Sequence, residues 1–215
     1  MFILANKSSV ANLYLNELRD ISIQTDQLRF RRNMERIGEI LAYEISQTFP
    51  YKKIQIDTPL AATEGLTFDQ DIILGTILRA GIPFHQGFLN IFDKAENAFV
   101  ASYRHVTDEK GSFEIKTEYC ISPGLTNKIL ILADPMLATG QSLYLAWKTL
   151  TDKYGIPAHT HIASIIASKT GVQYIRQHIP DASLWFGAVD EYLNSKSYIV
   201  PGLGDAGDLA YGTKL

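Results

Sequence analysis

The strongest constraint on the fold is an unbroken apolar run that stops abruptly at an acid and a proline. Ile129, Leu130, Ile131, Leu132 and Ala133 have the length of a strand and show no polar alternation, which marks a strand buried on both faces of a sheet. Asp134 puts a carboxylate at the carboxyl end of that strand, and Pro135 forbids further ladder pairing. Ala138, Thr139, Gly140, Gln141 and Ser142 then form a small-residue turn, and Leu143, Ala146, Trp147 and Leu150 recur at the spacing of one helix face. In an open parallel sheet, ligands bind where strand ends and helix amino ends converge. The amides of Ala138 to Ser142, with the hydroxyls of Thr139 and Ser142, can surround a phosphate, and the helix dipole favours the anion.

Other stretches repeat the strand and helix alternation. Asp71–Leu78 (DIILGTIL) is a second buried-strand candidate, and it ends in Arg79, Ala80 and Gly81 ahead of a helix opened by Pro83. Phe99–Tyr103 is a third strand, running into Arg104 and His105. The polar stretch from Val106 to Tyr119 follows, with a hairpin tip at Asp108–Gly111. Thr160–Ser168 and Ser183–Val189 complete the strands, with a helix over Gly171–His178 between them. This order predicts an α/β fold on a parallel sheet. Upstream, Thr25 or Asp26 caps a helix with Phe30, Met34, Ile37, Leu41 and Ile45 on one face, and Tyr51–Leu66 holds short strand-like pieces.

With 215 residues, 46% of them hydrophobic, the chain can bury one large core, so residues 1–215 are read as a single domain. Residues 1–25 form an amino-terminal arm in which Val10, Leu13, Tyr14 and Leu18 make a short amphipathic turn or pack on a neighbour. A net charge of -3 gives no overall basic footprint for nucleic acid or an anionic membrane. The arginines at 29, 31, 32 and 36 read first as a solvated helix face and second as a positive wall beside a phosphorylated ligand. Cys120 is the only cysteine, so there is no intramolecular disulfide and no cysteine cluster for a metal. His159 and His161 share a strand face without a third ligand nearby and read as ordinary strand-edge histidines, leaving no protein-built metal site. The single cysteine suits a reducing compartment, and with the absence of a basic leader and of any run of membrane-spanning length it predicts a cytoplasmic protein.

Tyr198–Lys214 (YIVPGLGDAGDLAYGTK) carries glycines at 202, 204, 207 and 212, yet Ile199, Val200, Leu203, Leu209 and Tyr211 supply enough apolar surface to order it. Glycines in an ordered segment let backbone groups approach a small flat ligand.

Together these stretches resemble the type I phosphoribosyltransferases, whose phosphoribosyl pyrophosphate (PRPP) motif is an apolar strand, an acid and a Thr-Gly turn. The wording DPMLATG, the corner Arg79-Ala80-Gly81, the pair Tyr103-Arg104 and the tail PGLGDAGD are similar to the uracil phosphoribosyltransferase branch. The resemblance runs from about Asp26 to Lys214. It implies a parallel-sheet type I phosphoribosyltransferase fold with a flap hairpin at 105–120 and a carboxy-terminal base-binding hood at 190–215. It also implies transfer of the 5-phosphoribosyl group from PRPP to N1 of uracil, giving UMP and pyrophosphate. Asp134, Arg104 and Asp205 are the implied catalytic residues. PRPP would be bound by Arg79, Arg104, Asp134, Pro135, Met136, Leu137, Ala138, Thr139, Gly140, Gln141, Ser142 and Asp205. Uracil would be bound by the carbonyl of Ile199 and the amides of Gly204 and Ala206, beside Asp205. Mg2+ is the implied cofactor, held mainly by substrate oxygens, and a homodimer or larger homo-oligomer is expected. The resemblance leaves open a GTP activator.

The chain departs from the family pattern in several places. Pro135 replaces a second acid, His105 an asparagine, Gln141 a second glycine, and Leu209-Ala210 a basic residue and isoleucine. Three alternatives stand beside this reading: a nucleotide-sensing, RNA-binding regulator on the same fold, a phosphoribosyltransferase for another base, and an inactive family member with Gln141 crowding the phosphate turn.

Overall fold

The continuous apolar run is a strand because both of its faces are covered. The computed structural model describes residues 1–106 and 113–213; of residues 102–106 and 113–117 it describes the backbone. In strand β7 (Ile129–Ala133), Ile129, Ile131 and Ala133 join one apolar cluster, and Leu130 and Leu132 join the other. The same period of two sorts β4 (Ile72–Leu78), with Ile72 and Leu74 on the first face and Ile73 and Ile77 on the second. Each fully buried Leu or Ile contributes roughly 1.5–3 kcal/mol.

In chain order, the elements before β4 are β1 (Phe2–Ile3), α1 (Val10–Arg19), α2 (Gln27–Ser46), β2 (Lys52–Asp57) and β3 (Ala62–Thr67). Helix α3 (Ile82–Ile91), β5 (Glu96–Val106) and β6 (Phe113–Ile121) lead to β7. After it come β8 (Met136–Leu137), α4 (Gln141–Tyr154), β9 (His159–Ser168), α5 (Lys169–His178) and β10 (Ser183–Asp190). The short β11 (Tyr192–Leu193), β12 (Ile199–Val200) and α6 (Ala206–Tyr211) close the chain.

The main sheet has the order β1-β10-β9-β7-β4-β5-β6, with β8 also pairing β9. All of its pairs are parallel except the antiparallel edge pair β5 and β6. Phe84 and Phe88 of α3 pack on one face with α2, whereas Leu143, Ala146 and Leu150 of α4 and Val172 and Ile175 of α5 pack on the other. The chain therefore winds one way from β4 through α3 to β5, and the opposite way from β7 through α4 to β9. The strand order reverses between β4 and β7, which makes their carboxyl ends the natural ligand crevice.

The α2 pattern is realised residue by residue: Asp26 accepts from the Arg29 amide, and Phe30, Met34, Ile37, Leu41 and Ile45 are all buried. Pro83 sits in the first turn of α3 as expected. Three readings change. Pro135 does not end ladder pairing, because β8 resumes against β9 immediately after it. Proline lacks only the N–H donor, and its carbonyl still accepts from the amides of Ile165 and Ile166 at 3.1 and 3.0 Å. Residues 1–25 are built into this chain's own fold: β1 extends the sheet beside β10, and α1 buries Ala11, Leu15 and Leu18. That stripe differs from the expected one; Val10 and Leu13 face outward. Finally, β2 and β3 form a hairpin of their own outside the main sheet, leaving Ile54, Ile56, Leu60 and Leu66 exposed.

Candidate active site

The corner after β7 is held open by backbone geometry. Gly140, the residue before α4, has φ +84, a left-handed conformation, and a Cβ there would lie 2.9 Å from Tyr174 Cδ1. The Ser168 hydroxyl donates to the Ala138 carbonyl at 2.5 Å and accepts from the Gly171 amide at 2.9 Å. Gly171 is required by this close approach, since a Cβ would meet the Ala138 and Leu137 carbonyls at 2.5 and 2.8 Å. At the head of α4 the Gln141 amide is used by Thr139 Oγ1 at 3.4 Å, and the other amides without an intrahelical partner are left for a ligand.

Across the switch point, β4 delivers Arg79 and Ala80 to the same edge. The peptide between Leu78 and Arg79 is cis. The third wall comes from the carboxyl end of β10. Asp190 accepts from both terminal nitrogens of Arg19 at 2.8 Å, Arg19 also donates to the Gly202 carbonyl at 3.0 Å, and the Gly202 amide donates back to Asp190 at 2.9 Å. This closed network anchors the hood to α1, and Ile199, Leu203, Ala206 and Ala210 bury the hood's underside. The hood ends in α6, capped by Asp205, whose Oδ1 accepts from the Asp208 amide at 3.0 Å. At its far end Arg31 donates to the Ala210 carbonyl at 2.7 Å.

The three walls enclose one cavity of 630 Å³. Of the expected PRPP residues, Arg79, Asp134, Met136, Leu137, Ala138, Thr139, Gly140, Ser142 and Asp205 line it, and so does Gly204 from the base set. Pro135, Gln141, Ile199 and Ala206 are not in its lining. Pro135 faces β9, and Ile199 and Ala206 are buried as the hood's anchors. The exposed Gln141 does not crowd the turn, and its amide bonds to Thr139 Oγ1 at 3.4 Å. The side chain of Arg104 and the flap tip at 107–112 lie outside the described residues. Lys196, Ser197 and Tyr198 also border the cavity; Lys196 and Ser197 lie just ahead of the glycine-bearing tail and carry no sequence motif.

Asp134 opens toward the cavity but is otherwise walled by protein, and burial pushes its carboxyl up to about 7. Among the described residues, no group of three or more His, Cys, Asp or Glu side chains gathers to hold a metal. The His159 and His161 pair is committed elsewhere: Trp185 Nε1 donates to His161 Nδ1 at 3.0 Å, and His159 Nε2 meets Ser183 Oγ at 2.9 Å. Burial, with a smaller push from His159, lowers His161 to about 3, so it stays neutral.

A family model described as uracil phosphoribosyltransferase matches residues 5–213. The chain belongs to the uracil phosphoribosyltransferase family. A uracil phosphoribosyltransferase of Porphyromonas gingivalis is 53% identical over 213 residues, covering 99% of this chain and 98% of that one. The Pyrococcus furiosus uracil phosphoribosyltransferase is 36% identical over 201 residues, covering 92% and 84%. Among solved structures, AQ2163 from Aquifex aeolicus matches with a TM-score of 0.85 at 28% identity over 97% of both chains. A hypoxanthine phosphoribosyltransferase from Staphylococcus aureus, at TM-score 0.50 and 11% identity over 86% and 83%, shares the fold alone. The expected type I phosphoribosyltransferase fold is therefore present. The basic face behind the RNA-binding alternative is accounted for within the chain. Arg29 pairs with Glu17, Arg32 with Glu35, Arg31 with the Ala210 carbonyl, and Arg36 with Asn33 and the Tyr14 ring.

Proposed function

We propose that this member of the uracil phosphoribosyltransferase family transfers the 5-phosphoribosyl group of PRPP to N1 of uracil, forming UMP and pyrophosphate. One observation carries the residue roles: a single cavity has the phosphate turn for one wall, Arg79 for another and the glycine-bearing hood for the third. The 5-phosphate would rest on the amides of Ala138–Ser142 and the hydroxyls of Thr139 and Ser142. Asp134 would accept from the ribose hydroxyls, and Arg79 with Arg104 would take the pyrophosphate. The hood backbone at Gly204, with Ile199 and Ala206 behind it, would complement the carbonyls and N3–H of uracil.

The bond from the anomeric carbon to pyrophosphate breaks with its electron pair on the leaving oxygen, the bond to N1 forms, and the N1 proton passes to water. Because the sugar passes through an oxocarbenium-like state, no protein nucleophile is needed, and positioning and charge placement do the work. Asp134 and Asp205 supply the cavity with carboxylate oxygens, a donor set that suits hydrated Mg2+ carried in with substrate. When bound, Mg2+ would supply positive charge against the pyrophosphate.

The same reading includes a homodimer or larger homo-oligomer, supported by the apolar side chains exposed on the hairpin of β2 and β3. Light scattering of the purified protein tests it. GTP activation rests on the family resemblance alone and is tested by adding GTP to the assay. A cytoplasmic location rests on the single cysteine, and cell fractionation tests it. Among the described residues no helix is long and apolar enough to cross a membrane.

Arg79→Ala and Gly204→Ala, each at a residue that lines the cavity, test its division. The first should raise the KM for PRPP far more than that for uracil, and the second should do the reverse. Equal losses for both substrates in both variants would contradict the assignment.

A further inference from the structure

Arg79 contributes a charge to the cavity, yet its own element gives it no counter-charge. Its side chain is 44% exposed, and among the described residues Asp208 is the acidic side chain within salt-bridge reach, with Oδ1 3.6 Å from Arg79 Nη2. That same Oδ1 is buried and has no hydrogen-bond donor. A buried carboxylate oxygen left without a donor is costly, and a guanidinium is the group best shaped to satisfy it. Asp208 does not line the cavity; it lies behind Arg79, in the first turn of α6.

The surrounding geometry fixes this relationship. Gly207 brings α6 down onto the corner: a Cβ there would sit 3.8 Å from Ala80 Cβ and 4.0 Å from Arg79 Nη2. The Asp208 amide is held by Asp205, a cavity residue, and the other end of α6 is held by Arg31. The hood helix is thus pinned at both ends, and one of its carboxylates points at the arginine of the opposite wall.

We propose that Asp208 is a positioning residue that fixes the Arg79 guanidinium for pyrophosphate and thereby joins the base hood to the PRPP wall. The inference rests on the functional reading above and adds a residue to it. Holding one edge of the guanidinium from behind leaves the remaining N–H groups directed at an anion in the cavity. It also means that displacing α6 disturbs the PRPP wall as well as the base wall.

The test is steady-state kinetics of UMP formation by the full-length protein, with PRPP and uracil varied separately. The wild type, Asp208→Asn, Asp208→Glu, Arg79→Ala and the Asp208→Asn/Arg79→Ala double variant are compared, with melting temperatures alongside. Asp208→Asn should raise the KM for PRPP roughly ten- to hundredfold, the size of one lost contact to a charged group. The KM for uracil should move much less. Asp208→Glu should recover most of the loss, because it keeps the charge. In the Arg79→Ala background the Asp208→Asn change should have no further effect on PRPP. Additive losses, an unchanged KM for PRPP, or a lowered one would overturn the proposal; the last would mean that Asp208 withholds Arg79 from substrate. If the wild type forms no UMP, the functional reading itself fails, and PRPP binding by Asp208→Asn, followed by calorimetry against the wild type, still decides the role of Asp208.

Discussion

Replacing Asp134 with Asn should make the protein more stable and less active at the same time. The native carboxyl titrates at about 7 instead of 3.8, because burial disfavours its charged form. The native state therefore holds this proton more tightly than the unfolded chain does. Its stabilising contribution is fully present below pH 3.8 and is lost as pH rises through about 7. At about 1.36 kcal/mol per pH unit, the difference amounts to about 4 kcal/mol at pH 8. Asn has nearly the same shape and never ionises, so Asp134→Asn should match the wild type near pH 4 and exceed it at pH 8. For a chain of this size that corresponds to a melting temperature about 5–15 °C higher. UMP formation should fall at least about a hundredfold, because Asn is a poorer acceptor for the ribose hydroxyls. Thermal melts from pH 4 to pH 8, without substrate, check the first statement, and initial rates check the second. A melting difference that stays constant with pH, or a less stable variant at pH 8, would refute the reasoning.

Gly140→Ala should cost about 1–2 kcal/mol for the left-handed backbone alone and should raise the KM for PRPP, measured by melts and kinetics together. Arg19→Met should cost about 3–5 kcal/mol, because it strands the buried Asp190 carboxylate. With the hood's tether cut, uracil use should fall more than PRPP use. Leu132→Ala, deep in the sheet and away from the cavity, should cost about 2–5 kcal/mol in denaturant titrations and leave both KM values unchanged.

The strands of the sheet were legible because burial on both faces writes an uninterrupted apolar run, as in Ile129–Ala133 and Ile72–Leu78. Helix α2 was legible because its cap and its apolar spacing agree. The sequence of α1 misleads because Ala11 is too small to announce a face, whereas the larger Val10 and Leu13 suggest one although both are exposed. The alternation of Ile54 and Ile56 signals a strand with a covered face, but among the described residues nothing covers it, and both are exposed. Helix α6 was missed because it is six residues long and contains Gly207; the spacing of Asp205 and Asp208 was the one available sign. For the site, the phosphate turn, Arg79 and Asp134 could be read from strand ends. The tether between Arg19 and Asp190 joins residues 171 positions apart, and no local pattern encodes it. The base contacts of Ile199 and Ala206 are implied by the family resemblance and concern their backbone groups, whereas both residues are buried beneath the hood.

The most direct measurement is product formation with PRPP and Mg2+ and each of uracil, hypoxanthine, guanine and orotate as acceptor. Stoichiometric UMP and pyrophosphate with uracil, and no nucleotide with the other three, is the outcome required if one cavity holds a sugar phosphate against the Ala138–Ser142 turn and a pyrimidine beneath the hood. Turnover of a purine in preference to uracil, or pyrophosphate release with no nucleotide formed, would contradict it.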